Sequence, residues 1–190
     1  MIAAAMGLIA RQLNEGLRRS LQTTEDPVVL SSLVEADGGA APQATNKVAM
    51  FLVNIERELA SRSPGRVDGT GGRIGVKPPP VNLNLLLMFA ANCHGANYPE
   101  ALKFVASTVA FFQARPVIDH QNSPDLERGI ERLVLELEPL NLTDLSNLWG
   151  ILGGRYVPSV MYRVRMITIE ADSITGQVPA VTRPVATVGG

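Results

Sequence analysis

The chain has 190 residues, 46% apolar and 18% charged, with 17 Lys+Arg against 18 Asp+Glu for a formal net charge of −1. That balance gives no global attraction to nucleic acid or to an anionic membrane, and a single cysteine, Cys93, excludes an internal disulfide and fits a reducing compartment. The length suits one domain with a sizeable core; charge below the usual share of about 25% fits either a well-packed α+β domain or a surface reserved for a partner.

Residues 2–20 read as an amphipathic helix, with Ile2, Met6, Ile9, Leu13 and Leu17 in one stripe and Arg11, Asn14, Glu15 and Arg18 opposite. The opening MIAAAMGLIA has no basic flank and Arg11 interrupts it, so no signal peptide is expected and synthesis is expected in the cytoplasm. No apolar run reaches the length of a membrane span, so no direct membrane insertion is expected.

Pro27 opens an extended run expected as a strand through Val34, and Asp37-Gly38-Gly39 with Pro42 marks a loop. Lys47–Arg57 fits both periods. Its residues alternate as a strand would, yet Val48, Phe51, Leu52, Ile55 and Leu59 also fit a helical stripe; the β-branched content leans to strand.

Residues 61–80 read as one long irregular Gly/Pro-rich loop, with basic Arg62, Arg66, Arg73 and Lys77 against one acid, Asp68. A loop of that length is either functional or a solvated mobile segment. Residues 81–91 form a nearly unbroken apolar run, expected as a central strand covered on both faces.

Tyr98–Gln113 should be a helix, with Pro99 and Glu100 suited to its first turn. Its apolar residues sweep over half the circumference, leaving a polar strip around Lys103 and Ser107. One sheet face needs a narrower stripe. The surplus, assigned mainly to Phe104 and Phe111, should meet either the amino-terminal helix or a neighbouring subunit.

Residues 116–119 are a short extended piece, and Ser123-Pro124 starts a helical turn at most. Residues 133–137 alternate as a strand with one wet face. Asp144 or Ser146 is the expected cap of a short helix carrying Leu145, Leu148, Trp149 and Leu152, which Gly153-Gly154 stops. After Pro158 a long strand follows, with Val160, Tyr162, Val164 and Met166 on one face and Met161, Arg163, Arg165 and Ile167 on the other.

Pro179 and Pro184 bar residues 171–190 from a central strand, while Val178, Val181, Val185 and Val188 keep them apolar. The segment reads as an extended arm that docks on a partner by strand addition, or as a frayed tail. The chain is thus expected to be one α+β domain over 1–170, a mainly antiparallel sheet of four to five strands with about three helices, followed by an arm over 171–190.

A search for chemistry finds little. Gly69–Gly75 lacks the Gly-Lys-Ser/Thr ending and the G-x-G-x-x-G spacing of a phosphate cradle. Cys93, His94 and His120 are a thin inventory for a metal or ligand site and show no paired helical ligand spacing. Glu136 and Glu138 fit a solvated sheet face better than catalytic carboxylates. Arg163 and Arg165 fit cross-strand pairing with Glu136, or contact with acidic neighbours, better than nucleic-acid binding.

Four segments in this order, KVAMFLVNIE (47–56), PPPVNLNLLLMFAAN (78–92), YPEALKFVASTVAFFQ (98–113) and LSNLWGILGGRYVPSVMYRVRM (145–166), carry a resemblance. They resemble the cap, or tail-terminator, proteins of contractile phage-tail-like injection systems of the antifeeding-prophage and virulence-cassette type. The resemblance covers roughly residues 1–170 and finds no match in 61–80 or in the tail. None of the four is a catalytic motif. It implies a structural protein without enzymatic activity or cofactor, in a six-fold ring with copies of itself. That ring would end growth of the inner-tube protein and tie the last layer of sheath protein to it. A tube or baseplate adaptor of the same particle, and a small ligand-binding or metal-dependent enzyme domain, are the alternatives. Phe104 and Phe111 would serve the ring contact. Arg62, Arg66, Arg73, Lys77, Arg163, Arg165, Val178, Val181 and Val185 would face tube, sheath or neighbour.

Overall fold

In a computed structural model, the structure describes residues 1–35, 37–58, 67–70, 73–76, 80–153, 155–169 and 176–179. Six strands make the main sheet: β1 (Val28–Leu30), β2 (Val48–Arg57), β5 (Val81–Ala91), β6 (Val117–Asp119), β7 (Arg132–Glu138) and β8 (Ser159–Ile169). Their order is β1-β2-β5-β8-β7-β6, with only the β1–β2 pair parallel. This is the expected α+β sheet, with one strand more than the four or five counted from the pattern. Three α-helices lie among the described residues: α1 (Ile2–Leu21), α2 (Tyr98–Ala114) and α3 (Leu142–Ile151).

The eleven residues of β5 are apolar because both faces are covered, as the unbroken run predicts. On one face Leu85, Leu87 and Phe89 join Ile9, Leu13 and Leu17 of α1 and Ala101 and Phe112 of α2. Phe112 packs against Phe89 at 5.3 Å and Tyr162 at 4.9 Å between ring centroids, so three elements meet on one aromatic cluster. On the other face Leu86, Met88 and Ala90 pack beneath Trp149 of α3, with Met161 of β8. Residues 47–57, which fit two periods, resolve as strand. Pairing along most of β5 overrides a helical stripe that has no second surface to bury.

Several boundaries move. The first strand ends at Leu30 instead of Val34. Its serines bond locally, Ser32 Oγ donating to the Val34 carbonyl, and compete with the ladder. Asn14, placed on the polar side of α1, is buried. Its amide donates to the Val28 carbonyl at 2.9 Å and accepts from the Val28 N–H at 2.7 Å, which docks β1 on the helix. α3 begins earlier than expected: Asn141, not Asp144 or Ser146, is the cap. Its side-chain oxygen accepts from the Asp144 N–H at 2.9 Å while its amide donates to the Asp144 carboxylate at 2.7 Å. Gly153 ends the helix region at φ +92°, where a side chain would be strained.

A register shift between Leu83 and Leu85 inserts an extra residue into β8. Ile167 therefore joins Tyr162 and Val164 on the α1–α2 face, opposite to the phase that simple alternation gives. The span 61–80 is likewise not wholly irregular. Val67–Thr70 (β3) and Arg73–Val76 (β4) pair antiparallel. Gly176–Pro179 (β9), within the expected arm, adds to β4 to complete a second, three-stranded sheet. Pro179 sits at the end of an edge strand, where the ladder loses nothing.

Candidate assembly surfaces

α2 lies against α1 and the sheet, and its residues divide by exposure. Ala101, Thr108 and Phe112 are buried, while Phe104, Val105 and Phe111 are half-buried against the same core. Phe111 lies directly on Gly16 of α1: a Cβ there would overlap its ring. Of the two partners expected for this surplus, the amino-terminal helix is the one Phe111 meets within the chain, and Phe104 is half-buried against the same core. The outer apolar residues are Tyr98, Leu102, Ala106 and Ala110, with Tyr98 48% and Leu102 50% exposed. They recur at four-residue spacing, so they share one face. The one charged pair near it, Glu100 with Lys103 at 2.7 Å, is internally neutralised.

The second surface is the half of the sheet that α3 does not cover. Arg163 on β8 donates through Nε to Glu138 of β7 at 2.8 Å and through Nη1 to Glu56 of β2. β5 lies between β8 and β2, and its Leu86 stands opposite Arg163, so the guanidinium reaches across Leu86 to its second partner. Arg165 pairs with Glu136 at 3.0 Å. The cross-strand pairing expected of the two arginines is present, with Glu56 as an unanticipated partner from two strands away.

The charges reinforce one another. The hydrogen bonds it donates to Glu138 and then to Glu56 hold the Arg163 guanidinium above its ordinary pKa. The hydrogen bond from Arg163, helped by its charge and that of Arg165, holds Glu138 below the ordinary carboxylate value against the opposing effect of burial. Beside them Asn84 is 5% exposed and donates to Glu58 at 2.9 Å, while its own carbonyl oxygen has no partner among the described residues. Sequence reasoning missed this group. The available signal was Asn82-Leu83-Asn84, two amides on one face of an otherwise apolar strand.

Of the remaining expected contact residues, Arg73 stands opposite Pro179 and Val178 opposite Ile74 in the β4–β9 register. Arg62, Arg66, Lys77, Val181 and Val185 lie outside the described residues. The residues of the alternative ligand site are dispersed. Cys93 is buried, and burial, then the Glu100 charge, pushes its thiol pKa up. His94 Nε2 lies 2.8 Å from the Asn92 side-chain oxygen. His120 follows β6 at the far sheet edge, level with the start of β5, whereas Cys93 and His94 follow its end. Among the described residues no group of three or more His, Cys, Asp or Glu is arranged to hold a metal ion, and no helix is long and apolar enough to cross a membrane.

Two solved structures share this fold. The sheath/tube terminator of the PVC extracellular contractile injection system, in its extended state, superposes with a TM-score of 0.55 at 17% identity, over 95% of this chain and 63% of that one. The tube-terminating cap of the anti-feeding prophage gives 0.59 at 18% identity, over 94% of this chain and 59% of that one. The chain therefore spans about three-fifths of the length of these proteins. No curated protein matches it. The profile of the Pvc16 N-terminal domain matches residues 7–183, from the first turns of α1 to beyond β9, and the chain belongs to that family.

Proposed function

We propose that the protein is a structural cap of a contractile injection system: a ring that ends inner-tube growth and anchors the last sheath layer. The observation that carries this reading is the match to the Pvc16 N-terminal domain over 7–183, on a fold shared with two terminator proteins. The physics is compatible with it. A growing tube keeps an adhesive end until a subunit matches that end and presents no copy of it outward. Closing six copies into a ring adds avidity, since contacts made together hold where each alone would not.

In this reading the outer face of α2 supplies the contact between copies, rimmed by Phe104 and Phe111. The 61–80 segment, through Arg62, Arg66, Arg73 and Lys77, and the arm over 171–190, through Val178, Val181 and Val185, reach tube and sheath. Assembly takes place in the cytoplasm, without membrane insertion, nucleic acid, cofactor or catalysis. The arm has a second use in its own chain, because β9 completes the β4 sheet. Truncation after Pro179 therefore tests the arm more cleanly than truncation after Glu170.

The experiment is to co-assemble the chain with its inner-tube protein and measure the mass of the free chain and the length of the tubes. The cap reading expects a mass near six times 20.3 kDa and tubes of bounded length with the chain at one end. Leu102→Glu should give folded smaller species and tubes of uncontrolled length. A monomer at high concentration that leaves tube length unchanged refutes the cap, and a position at the baseplate end makes it an adaptor.

A further inference from the structure

Beyond α3, the same sheet face holds a buried polar atom that has no hydrogen bond among the described residues. Glu56 and Asn84 are direct cross-strand partners, so their side chains stand together on one face. Asn84 is almost fully buried, yet its carbonyl oxygen accepts no hydrogen bond from the described residues. The amide cannot be turned to cure this, because its Nδ2 already donates to Glu58 and the reverse orientation would set two oxygens against each other. A buried acceptor left open costs stability. A central strand that otherwise reads Leu-Leu-Leu-Met-Phe would accommodate leucine there.

The surroundings say what belongs at that oxygen. Glu56, Glu136 and Glu138 share two guanidiniums, Arg163 and Arg165, so these five groups carry one net negative charge. Arg132, further along the same face of β7, stands opposite Asp119 and adds no net charge. A carboxylate and an amide oxygen side by side match a donor with several N–H groups in one plane. A guanidinium meets that requirement; an ammonium meets it less well.

We infer that this face docks an arginine-bearing segment of a partner protein, whose guanidinium bridges the Asn84 carbonyl oxygen and the Glu56 carboxylate. Charge draws the segment in, and the neutral amide oxygen selects among cations. The inference does not depend on the cap reading, since it holds whichever protein supplies the arginine.

The test uses the purified chain and a fluorescein-labelled Ala-Arg-Ala-Ala-Arg-Ala peptide, with lysine and glutamate versions, followed by polarisation at low salt. The arginine peptide should bind, the lysine peptide several-fold more weakly and the glutamate peptide not at all. Asn84→Leu and the isosteric Glu56→Gln should each weaken arginine binding about tenfold, whereas Glu25→Gln, at the exposed turn after α1, should change it less than twofold. Glu56→Gln keeps the test decisive if Asn84→Leu fails to fold. Absent binding, equal binding of the arginine and lysine peptides, or an equal loss in Glu25→Gln would overturn the inference.

Discussion

Replacing Arg163 by leucine tests the electrostatic clamp that holds β2, β8 and β7 together over Leu86. Two charge-assisted hydrogen bonds are lost, one to Glu138 at 2.8 Å and one to Glu56. Bonds of this kind contribute about 1.5–3 kcal/mol when shielded and under about 1 kcal/mol when exposed. Glu138 is the more shielded partner, at 27% side-chain exposure against 39% for Glu56. The leucine returns part of the loss by covering Leu86. The net destabilisation should be about 2 kcal/mol, or about 4–8 °C in Tm for a chain of this length.

The pH dependence distinguishes a clamp from mere packing. The Glu138 carboxyl is held below its ordinary value of 4.5, so its contribution is fully present above that value and is lost as pH falls through the lowered one. The raised Arg163 value would end the contribution only above the ordinary arginine range. Thermal scans at about pH 7 and about pH 3 should therefore show the gap between wild type and Arg163→Leu closing at the acid end. A double-mutant cycle with Glu138→Gln should return a coupling of about 1 kcal/mol or more at neutral pH. A gap equal at both pH values, or a coupling near zero, would refute the clamp.

Two further perturbations probe the packing beneath α2 and β1. Gly16→Ala places a Cβ where the Phe111 ring lies; overpacking of about 1–3 kcal/mol should exceed the helix-propensity gain of about 1 kcal/mol. In a Phe111→Ala background, chemical denaturation should find Gly16→Ala neutral or stabilising. Asn14→Ala removes both bonds to Val28 and strands its backbone groups on the edge strand. Denaturant melts should show a loss of about 2–4 kcal/mol, with amide exchange speeding first at Val28.

The elements legible in the sequence are those whose burial is simple. The α1 stripe faces one core and the β5 run is covered on both faces, so pattern and burial coincide there. What failed to read has identifiable physical causes. Ile167 changes face because a bulge shifts the phase, and no residue type announces a bulge. β3 and β4 were hidden by glycines that give a strand no alternation, and the partner that extends their hairpin, β9, pairs with β4 from a hundred residues away. Phe104 and Phe111 were left between the amino-terminal helix and a neighbouring subunit because a helical wheel shows the width of a stripe but not which neighbour fills it. Gly16, a small residue midway along α1, is what lets Phe111 turn inward.

The two faces of the main sheet are treated unequally, and that asymmetry is where function can be argued from structure. α1 and α2 together cover one face. α3, of only ten residues, covers one end of the other, over Leu86, Met88, Ala90 and Met161. At the remaining end the side chains of β5 change to Asn82 and Asn84, with charged neighbours on β2, β7 and β8. Solvation alone explains exposed charges. It does not explain an amide oxygen placed beneath them, shielded from water and without a donor among the described residues. A surface built only to be wet would keep such a group at its rim, whereas one that awaits a donor from another molecule must hold it inside.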